Sequence, residues 1–269
     1  MSEEFVEENI YDKNGVLLLA KGQKTTAAMK KKLKRIGINK PTEYANLDHQ
    51  KSAVASSITH MVEEKMSIRD ERILTYSNKV LSSIIFESKT EPWWIYVNAL
   101  SNYVDWLYTH SIDVAIISLI IAGELRYSYD ELWNIGLGAF LHDIGKLLVP
   151  KRIIQKPGPL NSTEMVYMRQ HCELGASSLE SCCLPRECTD IILQHHERLD
   201  GSGYPQGLKG DEISRNAKIV MIADAVDAIT SGRPYKESQK MPAAINILKT
   251  EEGKYSREFI FVLEKILGV

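Results

Sequence analysis

Helix breakers cut the chain beyond Pro92 into short stretches that all carry helical periodicity, and this punctuation is the tightest constraint on the fold. The breaks are Pro150, Pro157-Gly158-Pro159, Pro185, the 200–210 stretch, and Gly232 with Pro234. Between them apolar residues recur at helical rather than alternating spacing, which predicts helices over 93–108, 110–125, 129–145, 162–182, 186–198, 214–231, 241–250 and 256–267. The main domain, 93–269, is therefore expected to be all-α. With 269 residues, 44% of them hydrophobic, it has enough apolar material for a substantial core.

The first 46 residues read differently. Asp12-Lys13-Asn14-Gly15 is a turn signal between Ile10-Tyr11 and the Val16–Leu19 run, which suits a short hairpin, and a helix from about Thr25 would stop at Gly37. We read residues 1–46 as a small accessory module and 47–92 as a helical linker, with apolar residues at Val54, Ile58, Met61, Val62, Ile73, Val80, Leu81, Ile84 and Ile85. A homodimer seam along that linker is an open reading.

A net charge of −2 argues against DNA or RNA as a partner, because such binding needs a sizeable positive field. The one dense basic run, Lys30 to Arg35, reads as a solvated helix face. The longest apolar run, Val114 to Ala122, is nine residues broken by Ser118, short of the roughly 20 a membrane span needs. The opening MSEEFVEENI is acidic and is no leader. A cytoplasmic protein is the expectation. Cys172, Cys182, Cys183 and Cys188 form no paired CxxC motif, and reduced thiols in a helix pair are expected.

Polar residues of one chemistry interrupt the apolar helices. His195-His196 open the run HHERLDGSGYP; His142-Asp143 stand in LHDIGK; Asp224 sits inside IVMIADAVDAIT; His110 and His171 lie in WLYTHSIDVAII and MRQHCELGA. Imidazole and carboxylate together suit iron, manganese or zinc at neutral pH, and no thiolate belongs to these motifs. His142 and Asp143 would end the helix from Tyr129, with the two-oxygen carboxylate free to bridge a second ion. His195-His196 would clasp that second ion, and Asp224 would reach the first from the opposite wall. Gly201 and Gly203 would free the loop backbone for positive φ, and Pro205 would stiffen its exit. Asp227 either orients a ligand imidazole or is an exposed carboxylate.

These segments, with KPGPLNSTE and the His110-Ser111 pair, resemble the HD superfamily of metal-dependent phosphohydrolases and, within it, the HD-GYP domain that degrades cyclic di-GMP. The resemblance spans roughly residues 95–267. It implies an HD-domain helical bundle, with metal ligands at His110, His142, Asp143, His171, His195, His196 and Asp224. It places a phosphate-binding role on Lys146, one turn beyond His142, a substrate contact on Tyr204, and a basic pair on Arg233 and Lys236. Family members with three ions carry a Glu four residues before the first His, where this chain has Trp106. Two divalent ions, iron or manganese, are therefore expected, unless Asp105 or another carboxylate substitutes. The N-terminal hairpin and helix look like accessory modules joined to this family.

The implied activity is hydrolysis of cyclic di-GMP to pGpG, and onward to GMP, by a hydroxide held between the ions, with Asp143 and Lys146 in the catalytic machinery. Two alternatives stay open. One is another cyclic dinucleotide such as cyclic GMP-AMP. The other is a catalytically weak module that binds metal and nucleotide while its GYP loop docks a signalling partner.

Overall fold

A computed structural model of the chain describes residues 10–11, 17–19, 71–87, 91–101, 103–231 and 239–268. Strands β1 (Ile10–Tyr11) and β2 (Leu17–Leu19) pair antiparallel, Ile10 opposite Leu19 and Tyr11 opposite Leu17. The turn between them, the helix expected from Thr25 and the Lys30–Arg35 run lie outside the described residues. Everything else described is helix or connection: α1 (Glu71–Ser82), α2 (Trp94–Ser101), α3 (Asp105–Glu124), α4 (Tyr129–Leu141), α5 (Lys151–Ile154), α6 (Ser162–Arg169), α7 (His171–Leu179), α8 (Arg186–Gln194), α9 (Arg215–Thr230), α10 (Met241–Thr250) and α11 (Arg257–Leu267).

The spine is α3. Residues 110–122 are all buried, because α1, α4, α9 and α11 pack around it, while α8 covers the other side of α4 and contacts α7 and α9. By length and composition Trp106–Glu124 would pass for a membrane span, with a mean hydropathy of 1.5. Its apolar surface is instead spent inside the protein, where a fully buried aliphatic side chain contributes about 1.5–3 kcal/mol.

Helix starts follow local chemistry. Ser128 and Asn161 each form a capping box, with Glu131 and Glu164 respectively, and Ser214 accepts the Ala217 N–H. Helix ends depart from expectation. No break separates 108 from 110; α3 runs through, and the interruption falls earlier, at the extended Val104. Helix α4 stops at Leu141 rather than 145 and gives way to a 3-10 turn, Ile144–Leu148. The stretch 162–182 divides at Gln170 into α6 and α7 and closes on a 3-10 turn, Glu180–Cys182, while α8 stops at Gln194 rather than 198. All four cysteines are free thiols, with Cys172 and Cys188 buried.

Candidate metal centre

The early helix ends serve one place. His142 and Asp143 leave the end of α4, His171 opens α7 just past α6, and His195 and His196 leave the end of α8. His110 arrives from inside α3 and Asp224 from inside α9. One ligand atom each from Asp143, His171, His195 and His196 lies within 4.8 Å of the others, and the same holds for His110, His142 and Asp224. All seven residues expected from the sequence are thus brought together. The Asp143 carboxylate joins the two groups: its Oδ1 is 3.4 Å from His171 Nε2 and 3.8 Å from His195 Nε2, while its Oδ2 is 3.4 Å from His142 Nε2 and 3.5 Å from His110 Nε2. Asp224 lies 3.2 Å from His110 Nε2 and, through its other oxygen, 3.8 Å from His196 Nδ1.

The way each imidazole is held decides its protonation. His142 Nδ1 is 2.6 Å from the Ala139 carbonyl, His171 Nδ1 is 2.6 Å from Met168 O, and His195 Nδ1 is 3.0 Å from Ile192 O. Each of these carbonyls is three residues upstream, in the last turn of the preceding helix; those of Ala139 and Ile192 lie where the helix supplies no further N–H, while Met168 O also accepts the Gln170 N–H. A carbonyl only accepts, so Nδ1 must carry the hydrogen and Nε2 the lone pair. His110, inside a helix, has no such carbonyl. Its Nδ1 is instead 2.6 Å from Asp227 Oδ2, and Ser231 donates to the other oxygen of Asp227 at 2.7 Å. Asp227 is fully buried, so of its two expected roles the orienting one holds.

The inward atoms of Asp143 and of the three carbonyl-held imidazoles are acceptors. His171 Nε2 and His195 Nε2 face each other at 3.2 Å, both carrying lone pairs, beside Asp143 Oδ1. Asp143 Oδ1 and His142 Nε2 are buried without a hydrogen-bond partner. Buried acceptors turned on one another are unfavourable unless a cation sits among them, and histidine with carboxylate is the donor set of borderline divalent ions. The residues fit a metal.

Electrostatics divides the groups. Burial lowers His171 to about 4, with Asp143 opposing, and burial together with neighbouring imidazoles holds His195 and His196 well below the ordinary range. At His110 burial also disfavours charge, but bonds to Asp224 and Asp227 outweigh it and raise the imidazole to about 9. Burial would raise Asp143 and Asp224; the imidazoles, joined at Asp143 by Lys146, win and hold both carboxyls well below their usual range.

Lys146 lies in the 3-10 turn, not on a continued helix face, and its ammonium is 2.5 Å from Asp143 Oδ2. Tyr204 is not presented outward. Its ring lies over His196, centroids 4.8 Å apart and planes at 30°, with Arg169 on the ring at 5.0 Å. Gly201 has the expected positive φ of 82°, whereas Gly203 does not; it is needed because a Cβ there would come within 2.4 Å of the Glu197 and Arg198 backbone. Arg233 and Lys236 lie outside the described residues, as does the side chain of Asp105.

Two residues escaped the sequence reading. Glu197 is fully buried and accepts the backbone N–H groups of Gln206, Gly207 and Leu208 at 2.7, 3.1 and 3.0 Å, tying the loop that carries Tyr204 to the end of α8. Its signal was its place directly after the two histidines. Arg169, two residues before His171, had none.

A family model described as HD domain matches residues 95–259. The chain belongs to the HD domain family. Its HHERLDGSGYP run carries the further likeness to the HD-GYP proteins. The HD domain is 40% identical over 174 residues to the cyclic di-GMP phosphodiesterase of Thermotoga maritima, covering 63% of this chain and 47% of that protein. It is 35% identical over 156 residues to 3'3'-cGAMP-specific phosphodiesterase 1 of Vibrio cholerae, covering 56% of this chain and 36% of that one. The chain thus spans less than half the length of these curated relatives. Among solved structures, Bd1817, a HDG"Y"P protein from Bdellovibrio bacteriovorus, superposes with a TM-score of 0.56 at 19% identity over 99% of this chain and 96% of that one, a likeness of fold.

Proposed function

We propose that the chain is a metal-dependent phosphodiesterase that opens cyclic di-GMP to pGpG and proceeds to GMP. One observation carries the reading: seven imidazole and carboxylate groups gather around two adjoining points that share Asp143. His142, Asp143, His110 and Asp224 would hold one divalent ion, and Asp143, His171, His195 and His196 the other, with iron or manganese suited to this donor set. Two ions so placed supply a water of lowered pKa and charge neutralisation for a phosphodiester. A third ion is left out of the reading, because Trp106 has no ligand atom to give.

The chain's own groups account for the rest. Asp143 spans the two positions, and Lys146 holds positive charge at its Oδ2. The imidazole caps and Asp227 fix ring orientation before substrate arrives, so no reorganisation is needed during reaction. Tyr204, Arg233 and Lys236 are proposed substrate contacts. A cytoplasmic location completes the reading.

The test is direct. Manganese- or iron-loaded protein, kept reducing and anaerobic, is expected to convert cyclic di-GMP to pGpG in a chromatographic assay; intact substrate refutes the assignment. The Vibrio cholerae relative, named for 3'3'-cGAMP, supports a second reading in which cyclic GMP-AMP is preferred. Rates measured side by side on the two dinucleotides decide between them.

A further inference from the structure

We propose that Arg169 receives the second phosphodiester of the cyclic dinucleotide, the one that is not being cut. The inference rests on the phosphodiesterase reading and extends it to a residue that no motif marks.

Among the described residues three arginines lie on aromatic rings: Arg198 on Tyr255 at 4.9 Å, Arg215 on Phe259 at 4.9 Å, and Arg169 on Tyr204 at 5.0 Å. The first two also have acceptors. Arg198 donates to the Glu197 carbonyl at 2.7 Å, and Arg215 donates to Glu258 at 2.7 Å. Arg169 is exposed and has neither a hydrogen bond nor an ion pair to any described residue. The ring contact uses none of the guanidinium N–H donors, which remain available to engage a phosphate through two parallel bonds.

Position adds the second half of the argument. Arg169 ends α6, and the ring beneath it lies 4.8 Å from His196 and 6.4 Å from His171. The guanidinium therefore sits one ring's width from the proposed metal ligands, at the rim of the site. A cyclic dinucleotide carries two phosphodiesters across one macrocycle, each with a negative charge. Only one can occupy the cutting position, and the other must lie within side-chain reach of it. A cation resting on an aromatic ring, with unused donors, suits that second charge.

The experiment uses the full chain loaded with Mn²⁺, wild type against Arg169→Ala and Arg169→Lys, on cyclic di-GMP, cyclic di-AMP and bis(p-nitrophenyl) phosphate, a diester with a single phosphate. Calorimetric binding of cyclic di-GMP is measured alongside. Losing a charge-assisted phosphate contact is expected to lower kcat/KM on cyclic di-GMP about 10- to 100-fold relative to the model diester. The loss should fall mainly on KM, with an equal weakening of binding and partial rescue by lysine. Cyclic di-AMP should weaken by the same factor. An equal loss on the model diester overturns the proposal, as does binding that Arg169→Ala leaves unchanged. A loss confined to the guanine dinucleotide also overturns it, by assigning Arg169 to the base. A wild type that binds no cyclic dinucleotide refutes the underlying reading instead, and the inference falls with it.

Discussion

The two halves of the centre are built on opposite principles. Around Asp143, His171, His195 and His196 the ligands stand where helices end, and His171 and His195 are locked by carbonyls of the last helical turn before them. The half made by His110, His142 and Asp224 draws two of its three residues from helix interiors, and His110 needs a dedicated carboxylate to hold it. Burial keeps the imidazoles of the first half neutral. Carboxylate support makes the second half basic enough to hold a proton. Side-chain substitution can undo the second arrangement but not the first.

The largest effect should come from erasing the distinction. Asp143→Ala removes the one group shared by both halves, so bound metal should fall in both and turnover should drop by about a thousandfold or more, since each ion offers several kcal/mol of charge stabilisation. Elemental analysis with single-turnover rates measures both. Full metal content with lost activity would mean that Asp143 acts chemically without bridging. A smaller, one-sided effect is expected from Asp227→Asn. With its orienting partner weakened, His110 should lose about 10- to 100-fold in metal affinity, while the helix-end half keeps its ion. Stepwise metal titration would show one shifted phase, and two shifted phases would refute independent halves. Gly203→Ala should act on stability through the loop, costing about 1–3 kcal/mol by urea denaturation, because the backbone of Glu197 and Arg198 cannot give way to a Cβ. An unchanged midpoint would show that the loop relaxes.

The helical class and most helix starts were legible, since breakers and caps such as Ser128 and Asn161 act within four residues of sequence. Helix ends were not. Periodicity carries no mark at Leu141 or Gln194, where what stops the helix is a histidine turned back on its own last turn and forward onto partners far along the chain. The seven site residues were readable because imidazole and carboxylate are out of place in apolar helices. Glu197 and Arg169 were not, because a buried loop anchor and a stacked surface arginine show their roles only through residues brought near by folding. The Tyr204 loop was legible as a loop, but not that its ring lies on His196.

The smallest effect separates the halves by pH in the metal-free protein. His110 in the folded state sits at about 9 against 6.5 unfolded. Its contribution to stability is therefore complete below pH 6.5 and is lost as pH rises through about 9. His171, held at about 4, works the other way. Below pH 6.5 the unfolded chain takes up a proton that the folded chain refuses, so stability falls as pH drops toward 4; His195 and His196 steepen that limb, and the depressed Asp143 and Asp224 extend the loss below about 3.8. Urea midpoints in chelator should thus pass through a maximum near pH 6.5. Asp227→Asn should flatten the alkaline limb and leave the acid limb in place, because the carbonyl-capped histidines do not touch Asp227. If both limbs flatten together, the two halves titrate as one unit and the division between backbone-held and carboxylate-held imidazoles has no energetic meaning.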